Sequence, residues 1–459
     1  MFAYAAENRL RRWFTGEEHT NMKLTIPSNA EKILQVLNEN GHEAYVVGGC
    51  VRDSILDRNP NDWDITTSAS PYQVKELFPR TIDTGLQHGT VTVMMDKEGY
   101  EITTYRVDGD YEDGRHPKEV TFTSSLEEDL KRRDFTINAM AYHPEEGLVD
   151  LFHGMDDMEN KIIRCVGDPM ERFHEDALRI MRAVRFSAQL GFEIEEQTKA
   201  GISRLTSNLK NVSAERIQAE LVKLLVSPHP DYLRTAYETG ITKEFLPEFD
   251  LCMETEQNTP YHCFTVGEHI LHSLLYVEAD KVLRLTMLLH DIAKPVMKTT
   301  DENGRDHFKR HAAVGEEMSK KILRRLKFDN DTIEKVSRLI RYHDDRPEGQ
   351  MRAVRRAMNR IGEELFPLYL EVQKADMLAQ SEYCRDEKIK RQADVRECYE
   401  EILKAQQCIS MKTLAVTGRD LIQAGYKPGP ELGEILNRLL EHVLDVPEDN
   451  TKEKLMPLI

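Results

Sequence analysis

Asp62 and Asp64, in Asp62-Trp63-Asp64-Ile65, are two carboxylates separated by one residue where the sequence predicts a β-strand. Alternate strand residues share a face about 7 Å apart, so the pair could hold divalent ions between them. An Asp-x-Asp alone is common on surfaces, but the segment just upstream gives this one more weight. Gly48-Gly49-Cys50-Val51-Arg52-Asp53 is a glycine turn opening a helix, where backbone N–H groups face phosphate oxygens and Arg52 adds a charged donor. A triphosphate beside two acids points to nucleotidyl transfer with two Mg²⁺ ions, one activating a hydroxyl and one steadying the departing pyrophosphate. Glu101, in Tyr100-Glu101-Ile102, is a candidate third acid; the alternative is a solubility charge on an edge strand.

Several elements must position these residues. A helical pattern, Ile33, Leu34 and Leu37, stops at Asn40-Gly41 and leads into a β run over 44–47. Strands over 91–95 and 100–106 flank Lys97-Glu98-Gly99 as a hairpin, and 107–120, rich in Asp, Gly and Pro, read as a mobile loop. From about Asp168 the periodicity is helical to the carboxyl end, punctuated by Pro228, Pro247, Pro260 and Pro347. The expectation is a mixed α/β head followed by an all-α remainder. Residues 1–21 are unpatterned, and Met22 reads as a more natural start than Met1.

The composition removes several classes. A chain of 459 residues is long enough for about three domains and needs no disulfide or metal staple. Its seven cysteines are odd in number, scattered and without a Cys-x-x-Cys pair, which fits a reducing cytoplasm. No apolar run approaches the ~18 residues of a membrane helix, and no signal peptide is evident. The net charge of −18 argues against indiscriminate nucleic-acid binding, and no DNA or membrane partner is expected. Residues 309–360 run against that average, with fifteen Lys and Arg against eight Asp and Glu.

Four motifs follow one another in order: Gly48-Gly49-x-Val51-Arg52-Asp53, Asp62-x-Asp64, Arg132-Arg133-Asp134-Phe135-Thr136-Ile137-Asn138-Ala139, and Glu175-Asp176-x-x-Arg179. This series resembles the bacterial tRNA nucleotidyltransferases, the CCA-adding enzymes, of the class (class II) shared with bacterial poly(A) polymerases. The resemblance implies a polymerase-β-like nucleotidyltransferase head over 22–166, a helical neck over 167–250, a body over 251–390 and a tRNA-gripping tail over 391–459, after an extension over 1–21. It implies CTP, ATP and the tRNA 3′ end as substrates, with Mg²⁺ on Asp62 and Asp64. Gly49 and Arg52 match triphosphate-contacting positions, Arg133 a nucleotide-holding arginine, and Asp176 with Arg179 the pair that reads the incoming base. Arg182 and Arg185 match further nucleotide contacts, and Ala214-Glu215-Arg216-Ile217 matches the neck motif supporting that helix. Poly(A), CC-adding and A-adding enzymes share these head motifs, and an intact 106–118 loop favours CCA addition.

Positions 176, 179, 182 and 185 recur every three residues and would form one polar stripe on a helix. A carboxylate acceptor beside a guanidinium donor suits cytosine and adenine, which both offer an amine next to a ring nitrogen; uracil and guanine present the reverse pattern.

Farther on, His290-Asp291 with His269 and Asp376 resembles the HD metal-dependent phosphohydrolase domain. His311 and His343-Asp344 fall where some of that superfamily recruit extra ligands. Imidazoles and carboxylates from separate helices are what a second divalent metal needs. This constellation keeps open a different class of function, a phosphohydrolase acting on RNA ends or cyclic phosphates. Arg352, Arg355, Arg356 and Arg360 are candidate contacts to the acceptor-stem backbone.

Overall fold

The computed structural model describes residues 22–108 and 120–459. Most of the 107–120 loop and the 1–21 extension lie outside the described residues. The chain divides into two compact units between Phe245 and Leu246.

The first unit is built on a mixed seven-stranded sheet. Its strands are β1 (Ala44–Val47), β2 (Ile65–Thr67), β3 (Thr81–Gly85), β4 (Thr90–Met95), β5 (Glu98–Thr104), β8 (Met140–His143) and β9 (Gly147–Asp150), in the order β3-β4-β5-β2-β1-β8-β9. A separate two-stranded ribbon pairs β6 (Arg106–Asp108) with β7 (Val120–Phe122). Neighbours in the large sheet are antiparallel except β2 and β5, which run parallel with Ile65 opposite Ile102. The helix Ser28–Glu39 buries Ile33, Leu34 and Leu37, and Gly41 beyond it takes φ +80°. Only a residue without Cβ adopts that conformation freely, which is why the helix stops there.

The β4–β5 hairpin turns through Asp96-Lys97, not Lys97-Glu98-Gly99. Both turn residues have positive φ, +48° and +72°, the two-residue loop whose twist matches the flanking strands. Glu98 and Gly99 therefore belong to β5, and Gly99 packs flat under Thr92.

After the sheet, strands shrink to short pairs and helices dominate. The helix Leu178–Leu190 buries most of its length and packs on the helix Ala214–Leu225. Between them Arg185 Nε donates to Glu220 Oε2 at 2.8 Å, both side chains under 10% exposed. Replacing Glu220 by Gln strands the buried guanidinium and is expected to cost about 2 kcal/mol in denaturant unfolding; an unchanged midpoint would show that the pair contributes nothing.

The second unit is helical apart from the small ribbon Thr299–Thr300 with Asp306–His307. The helices Val266–Leu274, Lys281–Leu289, Asn330–Tyr342 and Phe366–Leu378 pack together, while Met351–Ile361 and Arg385–Lys404 enclose a second apolar cluster around Val354, Met358, Phe366 and Tyr369. The mixed head and helical remainder expected from periodicity are both present. No helix among the described residues is long and apolar enough to cross a membrane, and all seven cysteines are free.

Candidate active site

β2 begins at Ile65, so Asp62 and Asp64 precede the strand rather than sit within it. Asp64 is nevertheless held to the sheet, its carbonyl accepting from Val47 N at 3.0 Å, while the side chains of both acids remain accessible, Asp62 in the approach to the strand. The simple i, i+2 strand geometry thus gives way to one anchored acid and one looser one. The parallel register settles the neighbour of Asp64: with Ile65 opposite Ile102, Glu101 stands beside it on the adjoining strand. β5 lies between β4 and β2, so Glu101 is not an edge-strand charge. Surrounding protein strips water from the Asp64 carboxyl and raises it above the ordinary carboxylate range; Arg133 opposes this, while Glu101 and Asp62 push the same way. Three acids crowding one another beside a single guanidinium are the donor set a divalent cation would relieve.

The glycine turn abuts that guanidinium. Gly48 adopts φ +83°, and a Cβ there would come 3.1 Å from Arg133 Nη1. Arg133 is steered by Asp129, whose Oδ2 lies 3.4 Å from Arg133 Nη2 and accepts from Thr66 Oγ1 at 3.0 Å. Burial would raise the Asp129 carboxyl, but Arg132 and Arg133 outweigh it and hold it below its usual range. Arg52 leaves the helix Gly49–Ile55 and is buried, donating to Asp53 at 2.9 Å and to Asn138 Oδ1 at 2.5 Å. Gly49 lies beneath it, since a Cβ there would sit 3.6 Å from Arg52 Nη2.

The stripe expected over 176–185 loses its first member, while Arg179, Arg182 and Arg185 share the helix Leu178–Leu190. The helix Pro169–Glu175 ends first, Asp176 is extended, with φ −137° and ψ 103°, and a new helix starts at Leu178. Asp176 meets Arg179 through the backbone, its carbonyl accepting from Arg179 N at 3.0 Å. Its Oδ1 accepts from Leu178 N at 2.9 Å, and its Oδ2 accepts from Arg216 Nη2 at 3.0 Å. Arg179 turns back instead, donating to Glu175 Oε2 at 2.5 Å and to the carbonyls of Arg172 and Arg132 at 3.0 and 2.9 Å. Arg182 grips Asp134 Oδ2 at 2.6 and 2.8 Å. The guanidiniums of Arg52, Arg182 and Arg185 gather around the Phe186 ring at 4.9, 5.3 and 3.5 Å from its centroid. Spacing by threes cannot reveal a break between two helices, and an extended residue at 176 is what redistributes the partners.

The Poly A polymerase head domain family matches residues 44–164, the "Probable RNA and SrmB- binding site of polymerase A" family 191–253, and tRNA nucleotidyltransferase domain 2 matches 308–459. The CCA-adding enzyme of Lactobacillus helveticus is 38% identical over 435 residues, covering 92% of this chain and 94% of the relative. The chain belongs to the CCA-adding enzymes. The Enterococcus faecalis CCA-adding enzyme is 34% identical over 446 residues, covering 95% of this chain and 97% of its own. A crystal structure of the Bacillus stearothermophilus CCA-adding enzyme in complex with CTP superposes with TM-score 0.70 at 30% identity, covering 94% of this chain and 96% of that one.

This CCA-adding chain also assembles its downstream histidines. His269, His290, Asp291 and Asp376 bring ligand atoms within 4.8 Å of one another, all buried, and Asp291, His311 and His343 form a second such group. Burial opposes charge on both acids, yet Asp291, beside Lys294 and His290, and Asp376, bonded to His269 and His290, stay well below the usual carboxylate range. Side chains that sequence reasoning missed act mainly as holders: Asp129 for Arg133, Asp134 for Arg182, Glu175 for Arg179 and Lys294 for Asp291. The adjacency of Asp134 to Arg133 and of Glu175 to Asp176 was a visible signal; Asp129 and Lys294 carried none.

The arginines proposed for RNA are engaged within the unit. Arg352 meets Asp445 at 2.6 Å, Arg356 meets Glu441 at 2.6 Å, and Arg360 meets Asp345 at 2.7 Å. Arg355 is buried against the Leu444 carbonyl at 2.7 Å. Arg352, Arg355 and Arg356 join the helix Met351–Ile361 to the helix Pro430–Asp445, while Lys321, Arg324 and Lys327 are exposed.

Proposed function

We propose that this chain adds C, C and A to the 3′ end of tRNA from CTP and ATP, with Asp62, Asp64 and Glu101 as the acids of the transfer site. The observation that carries this reading is the crowding of the three carboxylates beside Arg133 and the Gly48-Gly49 turn. Mg²⁺ held by Asp62 and Asp64, with Glu101 as a third acid, would supply charge neutralisation at the α-phosphate and acidify the terminal ribose hydroxyl. Gly49, Arg52 and Arg133 bind and orient the triphosphate, and the buried partners of Arg52 keep its guanidinium in one place before nucleotide arrives.

Asp176 and Arg179 read the base, with Arg182 and Arg185 shaping the pocket around Phe186. Their engagement with Arg216 and Glu175 supports orientation of acceptor and donor in advance of binding rather than by each other. Cytosine and adenine then find a matching pair, while uracil and guanine leave unmatched polar groups in a desolvated pocket.

We keep the division into head (22–166), neck (167–250), body (251–390) and tail (391–459), with the cytoplasm as the working compartment. Incubating tRNA shortened by three nucleotides with each NTP and sequencing the ends tests the activity: addition of C, C and A alone supports it, while A tracts or no extension overturn it. For RNA docking, three phosphate contacts from Lys321, Arg324 and Lys327 predict that a fourfold rise in salt weakens tRNA binding by roughly 40-fold. A near-constant affinity would reject that surface. The body's His269, His290, Asp291 and Asp376 would hold a second divalent metal, a reading supported by their buried convergence.

A further inference from the structure

We infer that Asp134 and Asn138 are positioning residues that couple base recognition to triphosphate binding, through a buried relay running from Arg182 to Arg52; this rests on the nucleotide-site reading above.

The relay has three joints. Arg182 donates to Asp134 Oδ2 from Nε at 2.8 Å and from Nη2 at 2.6 Å. Asp134 Oδ1 accepts from Asn138 Nδ2 at 3.0 Å, and Asn138 Oδ1 accepts from Arg52 Nη1 at 2.5 Å. Arg182 belongs to the helix Leu178–Leu190 and Arg52 to the helix Gly49–Ile55, so these bonds tie the base side of the pocket to the glycine turn.

The residue types leave the relay one arrangement. A guanidinium only donates and a carboxylate only accepts, so Asn138 turns its carbonyl to Arg52 and its amide nitrogen to Asp134. Of the side chains of that size, Leu offers neither group and an ionised Asp offers two acceptors. The backbone holds both members: Phe135 N donates to Asp134 Oδ1 at 2.8 Å, and Asn138 closes a short turn, its N donating to the Phe135 carbonyl at 2.9 Å. Burial would raise the Asp134 carboxyl, but Arg182 and Asn138 outweigh it and hold it below the usual range, so the link stays charged.

One end is open and the rest is closed. Asp134, Asn138 and Arg52 are buried, whereas the Arg182 side chain is 33% exposed. A base settling against Arg182 restrains that free end. Through Asp134 the restraint reaches Asn138, and through Asn138 it narrows the directions open to Arg52. Phe186 acts in the same sense, its ring 4.9 and 5.3 Å from the guanidiniums of Arg52 and Arg182 and braced edge-on by Phe135 at 5.9 Å. Phosphates meeting an already ordered Arg52 lose less freedom on binding, which is positive coupling. A mismatched base leaves Arg182 unrestrained and is therefore disfavoured at the phosphate end as well.

The test titrates pyrophosphate into the full chain with Mg²⁺, alone and with saturating cytidine or uridine, by calorimetry. Cytidine is expected to tighten pyrophosphate binding by about 5- to 150-fold, whereas uridine leaves it nearly unchanged. Equal pyrophosphate affinity with and without cytidine overturns the coupling whether or not any variant folds, and an equal effect from uridine overturns its dependence on a matched base. Asn138→Ala cuts the relay at the amide, and the isosteric Asp134→Asn turns a donor toward Arg182. Both are expected to abolish the cytidine effect whatever happens to either affinity alone. A purely structural role would shift those affinities and the melting temperature but not their ratio, so a folded variant with the parental ratio overturns the relay. Titrating cytidine and uridine singly reports base choice by itself, which keeps a failure of the base reading distinct from a failure of the coupling.

Discussion

Asp62→Asn and Asp64→Asn each lower incorporation of both C and A by at least about 10³-fold, because each removes a charge that would hold a divalent cation against the transferring phosphate, worth several kcal/mol at the transition state. The two variants part company in stability. Asp62 is exposed at the entrance to β2, and its loss leaves the melting temperature essentially unchanged. Asp64 is different, since desolvation, Glu101 and Asp62 together raise its carboxyl in the folded state. A carboxyl whose folded value exceeds its unfolded value destabilises the fold once pH rises through it, so at neutral pH the neutral Asn raises the melting temperature. Single-turnover extension of shortened tRNA and thermal denaturation read the two effects. A parental extension rate in Asp62→Asn removes that residue from the site, and a lower melting temperature in Asp64→Asn contradicts the electrostatic account.

Asp176→Ala blurs base choice. An acceptor–donor pair discriminates by about 1 to 3 kcal/mol, so preference for C and A over U and G is expected to fall by roughly 5- to 150-fold. The same change removes the oxygen that accepts from Leu178 N, costing about 1 kcal/mol of fold stability. Arg216→Ala gives the sharper control, because it leaves the carboxylate in place while freeing its orientation. Competition between the four NTPs on shortened tRNA measures both. If Asp176→Ala selects as sharply as the parent, side-chain readout at this position is wrong.

The head, the helical remainder and the family were legible because their signals are local. Glycine turns, a short apolar β run over 44–47 and four ordered motifs do not depend on distant contacts. What sequence could not supply was partner choice. Asp176 and Arg179 are three apart in a string that looks continuously helical, yet a break after Glu175 sends one to Arg216 and the other to Glu175. The neighbour of Asp64 likewise depends on a parallel pairing between strands 37 residues apart in register, Ile65 with Ile102. The basic stretch over 309–360 shows the same dependence on distant partners. Charge counting along the chain does not see Asp445 and Glu441, which pair with two of its arginines, Arg352 and Arg356, from the last long helix.

That last arrangement has a consequence for the protein's own upkeep. Asp445 takes Arg352 in a two-pronged grip at 2.6 and 2.8 Å and also holds Arg356, so the closing helix serves as an acidic mask over a face that would otherwise attract any polyanion. A chain clipped ahead of Pro430 would shed the mask and keep the cations, turning a selective handler of one RNA end into a fragment that clings to RNA at large.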